Sequence, residues 1–86
     1  VAEQDRRPPI PDDMARRVRD RAGHVCQKCG SDDRTEIDHV IPWVIVREHK
    51  IENLQLLCFP CNRRKGKKVE ANRKTWFHAD YFGASA

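Results

Sequence analysis

Asp38-His39 lies between two Cys-x-x-Cys pairs, and the second pair runs straight into Asn62 and a basic stretch. Those residue types support two separate kinds of chemistry. Cys26, Cys29, Cys58 and Cys61 can give four thiolates to one metal ion, the donor set of a closed structural zinc site. Asp38, His39 and Asn62 can give oxygen ligands and a base, which suits work on a phosphodiester. Arg63, Arg64, Lys65, Lys67 and Lys68 then follow in the right place to grip nucleic acid.

The two sites need positioning elements, and the chain has little material to build them. It has 86 residues, 38% hydrophobic and 7% aromatic. A domain this small is usually stable only with a metal, disulfides or a partner chain. Four cysteines could form two disulfides. Close Cys-x-x-Cys pairs are instead the spacing of a zinc knuckle, and four sulfurs with no open position argue against catalysis by that ion. An iron–sulfur cluster could also use four thiolates, but Gly30 directly after the first pair fits zinc better. Free thiols imply a reducing compartment, here the cytoplasm. The N-terminal residues are polar and proline-rich with no apolar signal segment, and no apolar run is long enough to span a membrane.

Residues 1–10 read as a flexible tail and 11–82 as a single domain, with the core motif at 26–68 and a short tail at 83–86. Pro11, Asp12 and Asp13 start a helix, with the acids favouring its dipole. Met14, Val18 and Ala22 form its apolar stripe, and Gly23 stops it. Thr35–Asp38 is a short strand leading into His39. Trp43–Val46 is strand or buried loop, which periodicity cannot decide. Arg47–Asn53 connects to a second strand, Leu54–Leu57, reaching Cys58. Pro60 suits a helix start, so Cys61–Lys68 is expected to be helical. Val69–Tyr81 is expected to continue as helix, with Val69, Trp76 and Phe77 packing back. Trp43, Trp76 and Phe77 could stack on bases, but so thin a core needs them for packing. His24, His49 and His78 read as surface or packing residues, with His49 the one that could assist the site.

The segments Ile37-Asp38-His39-Val40-Ile41-Pro42, Asn53-Leu54-Gln55-Leu56-Leu57-Cys58 and Cys61-Asn62-Arg63-Arg64-Lys65-Gly66 together resemble the HNH endonuclease family, in the branch that carries a four-cysteine zinc. The resemblance covers Cys26 to Gly66. It implies an α+β fold of the ββα-metal type, a small domain stapled by zinc, here with an added N-terminal helix. It also implies a role for each matched residue. His39 matches the general base and Asp38 the acidic ligand of a catalytic divalent ion. Asn53 matches the Asn that holds the loop and orients the base. Asn62 stands where the motif has its last His, a departure known as the HNN variant. An amide oxygen is a harder and weaker ligand than imidazole, which favours Mg²⁺ or Mn²⁺. The resemblance further implies 5′-phosphate and 3′-hydroxyl products.

The net charge is +4, from 17 basic and 13 acidic residues. Its placement matters more than its sum, because Glu70 is the sole acid between Arg63 and Lys74. Such clustering fits a polyanion partner, here double-stranded DNA held mainly by its phosphates. One site cuts one strand, so a double-strand break calls for a homodimer, two nicks or attachment to a larger recognition protein. Restriction, phage DNA processing, homing and junction resolution all fit this core. Two other readings use the same residues. A non-catalytic zinc-ribbon module that binds nucleic acid would need the cysteines and basic stretch but not Asp38, His39, Asn53 and Asn62. A metal-stapled protein-interaction domain would leave the basic clustering unexplained.

Overall fold

Residues 8–77, the part of the chain that this computed structural model describes, run helix, strand, short helix, 3₁₀ turn, strand, helix. Helix α1 spans Asp12–Ala22. It has no side-chain N-cap, and Pro11 with the acids Asp12 and Asp13 occupies its start. Its end is sharp. Gly23 takes φ 70°, and the Gly23 and His24 N–H groups donate to the Asp20 and Arg19 carbonyls at 3.1 and 2.9 Å. That pattern satisfies the last carbonyls and requires a left-handed residue, which glycine adopts without strain.

Strands β1 (Thr35–His39) and β2 (Leu54–Cys58) pair antiparallel, from Thr35 opposite Cys58 to His39 opposite Leu54. Side chains alternate across the two faces. Leu54 and Leu56 point to α1, where they meet Val18 and Ala22, with Ile10, Met14, Ile37 and Ile51 around them. Every residue of β2 is buried. Each fully buried Leu or Val here contributes roughly 1.5–3 kcal/mol. Ile10, assigned from sequence to a flexible tail, packs against this cluster.

Three sequence expectations are corrected. Trp43–Val46 is neither strand nor buried loop but a one-turn helix, α2, entered from Pro42 and ended by Arg47 at φ 55°. Val44 and Ile45 are exposed on it, Ile45 at 64%. Helix α3 spans Phe59–Lys65, starting earlier and ending earlier than expected. Chain 69–77 is an irregular strap rather than a continuing helix, and Val69 is exposed. The remaining residues expected to be helical, 78–81, lie outside the described residues, as does His78.

Two buried glutamines hold the strap. Gln55 donates to the Glu70 carbonyl at 2.7 Å and accepts from the Asn72 N–H at 3.0 Å and the Thr75 hydroxyl at 3.2 Å. Gln27 donates to the Arg73 carbonyl and to the Thr75 hydroxyl, and accepts from the Leu56 N–H at 3.0 Å. A buried polar side chain is tolerated when its donors and acceptors are used in this way. Trp76 closes the strap under the Arg21 guanidinium, 3.6 Å from its ring centre. Partial burial lowers the pKa of Arg21 to about 10. No helix among the described residues is long and apolar enough to cross a membrane.

Candidate functional site

The four cysteines converge. Cys26 and Cys29 lie in the loop after α1, Cys58 ends β2, and Cys61 sits in the first turn of α3. Their sulfurs all lie within 4.8 Å of one another, with Cys29 and Cys58 at 3.5 Å. A tetrahedral ion with sulfur at about 2.3 Å sets sulfur–sulfur edges near ~3.8 Å, so the cluster fits a metal such as zinc. Gly30 turns the first knuckle at φ 82°. The Lys28 and Cys29 N–H groups each point at the Cys26 sulfur at 3.4 Å. Burial opposes ionisation of Cys26, yet backbone N–H groups of Cys29, Cys58 and Lys28 bring its pKa down to about 6. Burial, and then the neighbouring sulfurs of Cys58, Cys29 and Cys26, push Cys61 up to about 12. Crowded sulfurs oppose one another's ionisation, and a bound cation compensates their charge.

The second site is an open cleft of about 420 Å³ between β1, α2 and α3. Asp38, His39 and Asn62 all line it. Asn53 does not line it. Asn53 is 1% exposed and works one layer behind. Its Oδ1 accepts from the Ile41 N–H at 2.8 Å, and its Nδ2 donates to the Ile41 carbonyl at 2.9 Å. The Val40 N–H adds a bond to the Asn53 carbonyl at 2.8 Å. These bonds fix the chain immediately after His39.

Asn62 donates from Nδ2 to Glu36 Oε1 at 2.7 Å. A carboxylate only accepts, so the amide nitrogen faces Glu36 and Oδ1 is the atom suited to a cation. Glu36 was missed by the sequence reading. The available signal was its position two residues before Asp38 on a strand, which puts both carboxylates on one face. Asp38, Glu36 and Asn62 each bring a side-chain oxygen to the lining of the cleft.

Lys65 corrects another expectation. It was grouped with the DNA-contacting cations, but it is 2% exposed and turned inward. Its ammonium donates to the His39 carbonyl at 2.9 Å and pairs with Asp38 Oδ2 at 3.3 Å. Gln55 Nε2 also donates to that oxygen, at 3.0 Å. A buried ammonium persists only when paired, and here it fixes the carboxylate next to His39. Arg63, Arg64, Lys67 and Lys68 remain exposed, and Arg63 and Lys67 line the cleft. Arg63 also lies 5.3 Å over the Phe59 ring.

His39 itself is 3% exposed. Its Nε2 lies 3.1 Å from His49 Nδ1, and Trp43 packs near both rings at 5.9 and 4.9 Å. His49, read mainly as a surface or packing residue, therefore touches the candidate base directly. His24, by contrast, is exposed and pairs with Asp20 at 3.0 Å.

The HNH endonuclease family model matches residues 26–68, half of the chain. The matched span carries both cysteine pairs and the cleft residues, and the protein belongs to the HNH endonuclease family. No curated protein matches the chain.

Proposed function

We propose that this protein is a metal-dependent endonuclease that hydrolyses DNA phosphodiester bonds, leaving 5′-phosphate and 3′-hydroxyl ends. The observation that carries this reading is that Asp38, His39 and Asn62 line one cleft, with buried Lys65 holding the His39 carbonyl and the Asp38 carboxylate, and buried Asn53 holding Ile41 just after them. An exposed binding module has no use for such an arrangement.

Asp38 and Asn62, with Glu36 beside them, would hold Mg²⁺ or Mn²⁺. Such an ion supplies Lewis-acid stabilisation of charge on the scissile phosphate and the departing 3′ oxygen. The chain's own residues do the rest. His39, in its neutral form, takes a proton from the attacking water. Asn53 keeps the base at the end of β1 by locking Ile41. Lys65 balances the Asp38 charge from below the cleft. Arg63, Arg64, Lys67 and Lys68 hold flanking phosphates, which positions DNA and carries little sequence information. The four cysteines hold structural zinc, which calls for a reducing compartment such as the cytoplasm. A single cleft nicks one strand, so cutting both calls for a homodimer or a larger partner.

The test is incubation of zinc-loaded protein with supercoiled plasmid in Mg²⁺, Mn²⁺ or chelator, beside His39→Ala with matched zinc content and fold. Nicking that needs the divalent ion and falls on the order of 100-fold or more in the variant is expected. If both proteins bind the plasmid and neither cuts it, with branched DNA included, the protein is a zinc-ribbon binding module instead.

A further inference from the structure

We infer that Gln55 is a positioning residue for the Asp38 carboxylate, and that the strap following the family core sets its position. The effect on cutting rests on the nuclease reading of the cleft, whereas the linkage itself rests on hydrogen bonds. Asp38 and Gln55 stand directly opposite each other in the β1–β2 pair, so their side chains share one face of the sheet. Gln55 Nε2 donates to Asp38 Oδ2 at 3.0 Å. Lys65 meets the same oxygen at 3.3 Å. One charged and one neutral donor thus hold that oxygen, and the neutral one is anchored outside the cleft.

The anchor is the chain from Glu70 to Thr75. Gln55 Nε2 also donates to the Glu70 carbonyl, at 2.7 Å. Its Oε1 accepts from the Asn72 N–H at 3.0 Å, the Thr75 hydroxyl at 3.2 Å and Asn72 Nδ2 at 3.3 Å. Backbone groups fix which way this amide faces. The Asn72 N–H can only donate and the Glu70 carbonyl can only accept, so Oε1 and Nε2 cannot exchange places. Gln55 is completely buried, and both its N–H groups and its oxygen are in use.

The strap is tied in turn to the first cysteine knuckle. Gln27 donates to the Arg73 carbonyl and to the Thr75 hydroxyl, the latter at 2.8 Å, and Lys28 pairs with Glu70 at 3.0 Å. The Thr75 hydroxyl therefore joins two buried glutamines, taking a proton from Gln27 and giving its own to Gln55. The family match ends at residue 68, so this anchor is built from chain outside the matched span. Loosening it strands polar atoms of a buried amide, which then seek other partners at the expense of Asp38. Asp38 keeps Lys65, so the loss is graded rather than complete.

The experiment uses full-length, zinc-loaded protein labelled with ¹³C-aspartate and ¹⁵N-glutamine, at one fixed pH. It is compared with Thr75→Val, Thr75→Ser, Gln55→Met and the Gln55→Met/Thr75→Val double variant. Valine keeps the shape of threonine without its hydroxyl, and serine keeps the hydroxyl. The Asp38 carboxyl resonance reads the carboxylate, and solvent exchange of the Gln55 side-chain amide reads the anchor, neither needing activity. Zinc content and melting temperature report the fold. Thr75→Val should speed that exchange by about tenfold and shift the Asp38 resonance, and Thr75→Ser should restore both. Gln55→Met should shift the Asp38 resonance further, and adding Thr75→Val to it should change nothing more. Nicking at saturating DNA should fall by about 10-fold in Gln55→Met, the lower end for losing a group that holds a working side chain, with KM for DNA unchanged. An unmoved Asp38 resonance in folded Thr75→Val overturns the inference, as does a full additional Thr75→Val effect on top of Gln55→Met. Should Gln55→Met not fold, the Thr75→Val and Thr75→Ser pair still decides. A wild type with the expected spectra that cuts no DNA overturns the nuclease reading instead, and the link from strap to carboxylate stands.

Discussion

Replacing Lys65 with Met separates a buried structural ammonium from a DNA-contacting one. Met keeps the aliphatic stem that fills the space between β1 and α3, and removes only the charge. The side chain is 1% exposed and gives two bonds, to the His39 carbonyl at 2.9 Å and Asp38 Oδ2 at 3.3 Å. Leaving the buried carbonyl without its donor costs about 1 kcal/mol, and removing a charged partner from a carboxylate costs about 2 kcal/mol. Asp38 is 12% exposed and keeps its bond from Gln55, which holds the total near the lower end of the range for a broken buried pair. The sum is about 3 kcal/mol. For a domain of this size that lowers the melting temperature by roughly 12–24 °C. The assay is thermal or urea unfolding at fixed free zinc, with exposed Arg64→Met as a control expected to change stability by less than about 0.5 kcal/mol. A Lys65→Met protein with unchanged melting temperature and weakened DNA binding would refute the inward assignment and return Lys65 to the phosphate-binding set.

Asn53→Ala strands both the N–H and carbonyl of Ile41, and should cost about 3 kcal/mol in urea unfolding while leaving zinc stoichiometry intact. A loss below about 1 kcal/mol would mean that water or a shifted backbone replaces the amide. Metal binding to the cysteines needs thiolates. Cys61, held near about 12 by burial and neighbouring sulfurs, must surrender a proton, whereas Cys26, near about 6, is already ionised at neutral pH. Zinc uptake at pH 7 should therefore release protons, and affinity should rise about tenfold per pH unit for each one released. Calorimetry in buffers of different ionisation enthalpy checks this, and pH-independent affinity would contradict it. Alanine at Arg63, Arg64, Lys67 or Lys68 should each lower the slope of log affinity against log salt by about 0.9 for every phosphate no longer neutralised. An unchanged slope in all four variants would move the DNA-binding face elsewhere.

What could be read from the sequence were the features written in spacing. Pro11, the paired acids and Gly23 bracket α1, and the cysteine pairs announce their own convergence. The Asp38-His39 step and Asn62 share a cleft because a strand end and the first turns of a helix are locally predictable. The inward turn of Lys65 was hidden, since a lysine in a basic run looks the same whether its tip meets water or a carboxylate. Trp43–Val46 was hidden because four apolar residues between a proline and an arginine hold no period. The strap was hidden because its register comes from two glutamine side chains rather than a backbone ladder. The contact of His49 with His39 was hidden because it is made by the fold and leaves no mark in the spacing.

Cys61 and Asn62 are adjacent in the first turns of α3, which gives chelators two clocks. A mild chelator that strips a weakly held divalent ion from the oxygen donors should stop activity at once, and Mg²⁺ should restore it. A stronger one that extracts the thiolate-bound ion releases Cys58 and Cys61, and the helix start that presents Asn62 goes with them. That second loss should be slow, should track unfolding, and should ignore added Mg²⁺ until zinc and reductant are returned. Inactivation by EDTA is then biphasic, and a rescue experiment timed between the phases tells which ion has left.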